Sequence, residues 1–334
     1  MIIVTGGAGF IGSNLVRALN QRGIDDILVV DNLTNADKVK NLANLHIGDY
    51  MDKHEFADLI ASNGDMGEVS AVFHEGACSD TMATDGRYVL ENNFTYSKQL
   101  FRFCEKHQAQ YIYASSASVY GGGTTFIEEQ RYESTLNAYA YSKLLFDNFF
   151  RHHIRINGET KFQCVGLRYF NVYGPGEQHK GRMASVAWHF YHQYQASKRV
   201  KLFTGSGGYA DGGQLRDFVS VNDVVKVNLF LLDNPDVSGI FNVGTGRAQS
   251  FNDVAIAVVN RCRELNGESK LTFDDAISNG EISYIPMPEA LFGKYQSYTC
   301  ADMSRLKEKD YQSGFDSVET GVFNYVDYLA GCQN

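Results

Sequence analysis

Ile2-Ile3-Val4-Thr5-Gly6-Gly7-Ala8-Gly9-Phe10-Ile11-Gly12 is the stretch on which the fold turns. Ile2–Thr5 is a short apolar run, too short for a helix, and reads as a buried strand. Glycines then stand at 6, 9 and 12, and an amphipathic helix is predicted from about Ile11 to Arg22. Glycine permits a tight turn, a close backbone approach and close packing of helix on strand. The helix N-terminus adds unpaired N–H groups and a positive dipole end. Together these features predict a cradle for the pyrophosphate of a dinucleotide. A second strand, Ile27-Leu28-Val29-Val30, ends in Asp31, placed to take a ribose hydroxyl. Asp31 alone favours NAD. Asn32 follows it, however, and Lys38, Lys40 and Lys53 offer cations for a 2′-phosphate, so NADP is expected ahead of NAD.

Further strand-and-turn units follow. Leu45-His46-Ile47 reads as a strand leading to Gly48-Asp49 beside an adenine, and Ala71–His74 leads into Glu75-Gly76-Ala77-Cys78-Ser79. The small residues of the latter let the chain pass beside a cofactor, while His74 reads as a packed strand-end residue. A helix is predicted from Tyr88 to Lys106, carrying Asn92 and Asn93, and a strand over Gln110–Ala114 ends at Ser115-Ser116. That edge is where open α/β sheets bind ligands. The alternation predicts an α/β chain, a Rossmann-type doubly wound parallel sheet. Beyond Pro175 it breaks, and a smaller mixed α/β substrate region is expected.

Tyr139-Ala140-Tyr141-Ser142-Lys143 opens a helix for which Asn137 is a plausible N-cap. Tyr139 and Lys143 are four apart, hence one turn apart on one face. A neighbouring ammonium would lower the phenol's pKa, so that it exchanges a proton with a sugar hydroxyl near neutral pH. Alone the pattern is short and also fits two surface residues. Ser116 and the nucleotide cradle give it weight.

At 334 residues, one large domain with a smaller one is expected. The formal charge of −9 argues against a nucleic-acid surface. No stretch reaches the roughly 18 apolar residues of a membrane span. Met1 leads directly into a strand, and the expected compartment is the cytoplasm. The six cysteines are dispersed without metal-ligand spacing, and no metal is expected.

With TGGAGFIG at 5–12, VVDN at 29–32, HEGA at 74–77, YASSASVYGG at 113–122, YAYSK at 139–143, LRYFNVYGP at 167–175, RDFVSVND at 216–223 and FNVGTG at 241–246, the chain resembles the extended short-chain dehydrogenase/reductase family. EGACSD at 75–80, HKGRMASVAWH at 179–189 and GKYQSYT at 293–299 are similar to its branch that epimerises ADP-activated heptose at C6 for lipopolysaccharide core precursors. The resemblance implies a nucleotide-sugar substrate, transient oxidation and re-reduction at one sugar carbon, and NADP retained through the cycle. It implies catalytic roles for Tyr139, Ser116 and Lys143, with Lys180 as a second acid/base. Implied cofactor contacts are Gly6, Gly9, Phe10, Ile11, Gly12, Asp31, Asn32, Lys38, Lys53, Glu75, Gly76, Ala77, Cys78, Ser79, Asn92, Lys143, Val172 and Lys180. Implied substrate contacts are Ser116, Asn171, Arg182, His189, Phe203, Thr204, Gly205, Ser206, Arg216 and Tyr295. Arg216 is the expected diphosphate partner, its guanidinium suited to bidentate phosphate binding, with a surface ion pair to Asp217 as the bland alternative. Arg182 stands where the family has a small polar residue, and Gly207–Gly213 is longer and richer in glycine than its counterpart. The implied domains are discontinuous: 1–171 plus about 218–246 for the dinucleotide, and about 172–217 plus about 247–334 for the substrate. A homo-oligomer, a pentamer, is implied as well. A UDP-hexose 4-epimerase is the alternative activity. A 4,6-dehydratase is disfavoured, because Ala117-Ser118 stand where elimination needs a carboxylate pair.

Overall fold

A computed structural model describes residues 1–288 and 296–332. Six strands of its main sheet are β1 (Ile2–Thr5), β2 (Ile27–Asp31), β3 (Asp49–Asp52), β4 (Ala71–His74), β5 (Gln110–Ser116) and β6 (Cys164–Tyr169). A seventh runs over Gly239–Val243, and the order across the sheet is Gly239–Val243, β6, β5, β4, β1, β2, β3. Every pairing in it is parallel. Strand order reverses between β1 and β4, which opens a crevice at their carboxyl ends.

Side chains alternate along each strand, so one short run serves two cores. Ile2, Val4, Ile27 and Val29 pack on the face covered by the helices Phe10–Gln21 and Val221–Asp233. Ile3, Leu28 and Val30 pack on the other, against Phe101 and Phe103 of Tyr96–His107 and Phe146 and Phe150 of Ala138–Asn157. Burial on both faces explains why these strands read as unbroken apolar runs. A separate core joins the helices Val186–Ser197, Phe251–Leu265 and Val318–Leu329 to the parallel pair Val200–Phe203 and Ile282–Ile285. Ala301, Met303, Leu306 and Tyr311 return to the first face of the large sheet.

Two elements differ from the sequence reading. Leu45–Ile47 is not a strand: His46 exchanges its backbone hydrogen bonds with the Asn20 side chain, and the edge strand begins at Asp49. Polar residues suit that edge, which hid it from a search for apolar runs. The helix expected from Tyr88 to Lys106 is broken into Gly86–Leu90, a π-helical turn Glu91–Thr95, and Tyr96–His107. At the break, buried Asn93 bonds both backbone groups of Cys78 and donates to Ser142 Oγ. The remaining boundaries move by a residue or two, as helix and strand ends do.

The helix Ala138–Asn157 is clamped to the sheet by an ionic knot. Asp147 accepts from Tyr113 and Ser115 of β5, each at 3.0 Å, and pairs at 2.8 Å with the fully buried Arg168 of β6. Glu133 also contacts Arg168, and joins it to Arg151. Removing one partner of such a knot leaves a buried charge uncompensated. Asp147→Ala is therefore expected to lower unfolding stability by about 3 kcal/mol, the low end of the usual range because Glu133 remains. Urea denaturation of the two proteins measures it.

Candidate active site

The cradle forms as its glycines require. Gly6 has φ +70°, and a Cβ there would lie 2.5 Å from the Gly76 nitrogen; one at Gly12 would lie 2.3 Å from the Gly6 carbonyl oxygen. Gly9 is the N-cap of the helix Phe10–Gln21 and brings no capping side chain, so the first N–H groups stay available to an anion. Asp31 ends β2 at the cleft, accepting from Ala8 N at 3.0 Å. Its other oxygen takes Lys38 Nζ at 2.9 Å, and Lys38 also donates to Asn32 Oδ1 at 3.2 Å. Lys53 donates to Asn92 at the π-helical turn. This donor set and the space held open by glycine fit a nicotinamide dinucleotide.

These groups line one cleft of about 480 Å³. Gly6, Gly9, Phe10, Ile11 and Gly12 form its floor, with Asp31, Asn32, Lys38, Lys53 and Asn92 at one end and Glu75 to Ser79 along a wall. Lys180 also lines it, with Nζ 5.1 Å from the Phe10 ring centroid. Burial pulls the Lys180 pKa down, and Glu177 partly opposes that. Lys143 and Val172 are not part of this lining: Lys143 is buried on the Ala114 carbonyl at 2.7 Å, and Val172 packs against the large core.

The loop Gln178–Met183 lies along the cleft, tied to one rim by Asn35, which donates to His179 O at 3.2 Å. Asn41 donates to Gly176 O at 3.0 Å and accepts from Gln178 Nε2 at 2.7 Å. Arg182 pairs with Asp80 of the β4 wall at 2.8 Å. That pairing is what its exposed guanidinium does here. Asn35, His179, Asp80, Tyr88, Tyr96 and Met183 line the cleft without having been singled out from the sequence, although Asp80, His179 and Met183 lie inside motifs quoted above.

Asn137 caps the helix that carries Tyr139, accepting from Ala140 N at 2.8 Å. The Ser116 hydroxyl acts on the Tyr139 phenol and favours its ionised form. Ser118 donates its N–H and hydroxyl to Ser116 Oγ, at 3.2 and 2.9 Å, leaving the Ser116 proton for the phenol. One expectation is overturned. The phenol pKa of Tyr139 is raised, chiefly by burial, with Ser116 opposing, and Lys143 does not lower it. Burial also pulls Lys143 down to about 8, against the field of Glu75 and Asp147. For the phenol, desolvation outweighs what Ser116 contributes.

The expected substrate contacts lie outside that cleft lining, except Arg182. Asn171 is exposed on the short strand Asn171–Tyr173, which pairs with Phe218–Ser220. Arg216 is buried, not a surface residue, its guanidinium 5.6 Å from the Phe251 ring centroid. Asp217 accepts from the N–H groups of Thr245, Gly246 and Ala301. Phe203 ends a strand, Thr204 N bonds Ile285 O, Gly205 N bonds Asp211 Oδ1, and Ser206 Oγ accepts from Gln214. The glycine-rich insert closes on itself: Gly207, Gly208 and Gly212 take positive φ, and Asn252 ties down Asp211. His189 stands in the first turn of Val186–Ser197, edge-on to Trp188. Tyr295 lies outside the described residues.

Residues 2–244 match the Epimerase family, described as the NAD dependent epimerase/dehydratase family. The chain is 58% identical over 327 residues to the ADP-L-glycero-D-manno-heptose-6-epimerase of Thiobacillus denitrificans, covering 98% of each. It superposes with TM-score 0.78 on the crystal structure of the Helicobacter pylori ADP-L-glycero-D-manno-heptose-6-epimerase, at 29% identity over 98% of this chain and 96% of that one. The Thermus thermophilus UDP-glucose 4-epimerase in complex with NAD gives 0.76 at 25% identity, covering 99% of both. Glycine cradle, Ser/Tyr/Lys group and near full-length likeness agree, and the chain belongs to the NAD dependent epimerase/dehydratase family.

Proposed function

We propose that this chain converts ADP-D-glycero-D-manno-heptose to its L-glycero epimer at C6, for lipopolysaccharide core precursors. The observation that carries the reading is the 58% identity, over almost the whole of both chains, to a curated enzyme of that name. Bound nicotinamide supplies the acceptor and donor of hydride. Tyr139 takes the C6 hydroxyl proton, and Ser116 bonds the same oxygen. Phenolate formation in a buried site needs a nearby cation, the role proposed for Lys143 one turn along the same helix. C6 is a secondary carbinol, so the intermediate is a ketone, which turns its other face before it is reduced. Lys180, from the loop Gln178–Met183, serves the reversed geometry; burial lowers its pKa, which makes its proton easier to give up. Asn171, Arg182, His189, Phe203 to Ser206, Arg216 and Tyr295 hold the nucleotide-sugar. The domains follow the boundaries expected above, in a homo-oligomer of five chains in the cytoplasm. Among the described residues, no helix is long and apolar enough to cross a membrane.

NADP is the proposed cofactor, because Lys38 at Asp31 and Asn32 offers a cation beside the carboxylate expected to take the adenosine ribose. A charge-assisted bond contributes about 1.5–3 kcal/mol, so Asn32→Ala with Lys38→Ala should weaken NADP binding by roughly ten- to a hundredfold. NAD should lose much less. Equal losses in a calorimetric titration remove the 2′-phosphate assignment.

Incubation with ADP-heptose and, separately, with UDP-galactose, followed by NMR, tests the activity. Inversion of the heptose at C6 alone is expected. Inversion of galactose at C4 instead replaces this reading with the UDP-hexose 4-epimerase.

A further inference from the structure

Glu75 is the first residue beyond β4. Register pairs His74 with Tyr113 of β5, so Glu75 emerges at the carboxyl end of that pair, where β5 runs on through Ala114. The Ala114 carbonyl is the group on which Lys143 rests. From the β6 side, Tyr169 donates its phenol to Glu75 Oε1 at 2.9 Å and itself accepts from Asn228 Nδ2 at 2.9 Å. That chain orients the carboxyl. Glu75 Oε2 is buried with no hydrogen-bond partner among the described residues. A buried carboxylate oxygen without a donor is costly and calls for a physical reason.

We propose that Glu75 is a positioning residue for Lys143: its free carboxylate oxygen is the buried counter-charge that keeps the lysine an ammonium beside Tyr139, and Tyr169 and Asn228 hold it in place. The inference rests on the reading that Tyr139 and Lys143 serve the reaction. Burial drives both partners toward neutrality, raising Glu75 to about 7 and lowering Lys143 to about 8, while the charge of each favours the charged form of the other. Other groups facing the pair do not replace Glu75. His74 is held neutral by burial, Asp147 is engaged by Arg168, Tyr113 and Ser115, and Cys78 is a thiol on the cleft wall. Without the carboxylate, Lys143 sheds its proton at lower pH, and the phenolate loses its support.

The test is the rate against pH for wild type and Glu75→Gln, an isosteric change. Wild-type kcat should fall as pH rises through about 8, where Lys143 deprotonates. In Glu75→Gln that fall should move about one unit toward acid, costing about threefold in kcat at pH 7.5 and approaching tenfold well above pH 8. Activity should return toward wild type below about pH 6.5, which lost packing would not permit. A second reading needs no turnover: infrared difference spectra of wild type should show a buried carboxyl titrating near 7, absent in Glu75→Gln. In Tyr169→Phe it should titrate at higher pH, because the Tyr169 bond favours the carboxylate. An unshifted alkaline limb in Glu75→Gln, or no titrating carboxyl, overturns the proposal. A wild type inactive on every nucleotide-sugar, with the infrared titration intact, contradicts the assigned activity and leaves the Glu75 charge assignment standing.

Discussion

Tyr139→Phe is expected to lower kcat by about a thousandfold, within the ~10²–10⁴ range of general acid–base catalysis. Cofactor affinity should stay within about twofold. The change deletes one oxygen and keeps the ring, so packing at the start of the helix Ala138–Asn157 is preserved. What is lost is the atom that meets the Ser116 hydroxyl and would exchange a proton with substrate. Tyr139 and Lys143 are proposed to act as one unit, so removing either group should be nearly as severe as removing both. Steady-state kinetics at saturating substrate, with a separate cofactor titration, give the two numbers. A near-normal kcat would refute the role of Tyr139.

Lys180→Ala should lower kcat by about a hundredfold. The lysine lines the cleft above Phe10, and burial holds its pKa below that of a free amine. Such a group can take a proton on one half of the cycle and return it on the other. Lys180→Arg separates proton exchange from charge. A guanidinium restores the cation but does not titrate, so it should fail to recover the rate. Cofactor must be saturating, since either change also alters the cleft wall. Unchanged kinetics in Lys180→Ala would reduce this residue to an ordinary part of its loop.

Where local chemistry decided structure, the sequence was easy to read. The strand, glycines and helix of residues 2–21 follow from steric need, and a Cβ at Gly6 or Gly12 meets backbone as that reading requires. Asn137 caps its helix, and Asp31 ends β2, because both act on neighbours close along the chain. Long-range effects were not legible. The π-helical turn at Glu91–Thr95 accompanies bonds from Asn93 to residues 15 and 49 positions away. The sign of the Tyr139 shift depends on burial by the whole fold, which the spacing to Lys143 does not encode. Arg182 reaches Asp80 across 102 residues, a contact that its place in the chain does not encode. Lys38 at Asp31 lies between: the residues were evident seven apart, and their 2.9 Å pairing came only with the fold.

The central claim is that the side chains at C6 handle the hydroxyl proton and never the carbon-bound hydrogen as a proton. ADP-heptose carrying deuterium at C6 should therefore yield the L-glycero epimer with the label retained, and unlabelled substrate in D₂O should gain none at C6, as read by NMR. Loss of that deuterium to solvent, or its uptake from D₂O at the rate of epimerisation, would mean that C6 is inverted by deprotonation and would contradict the account.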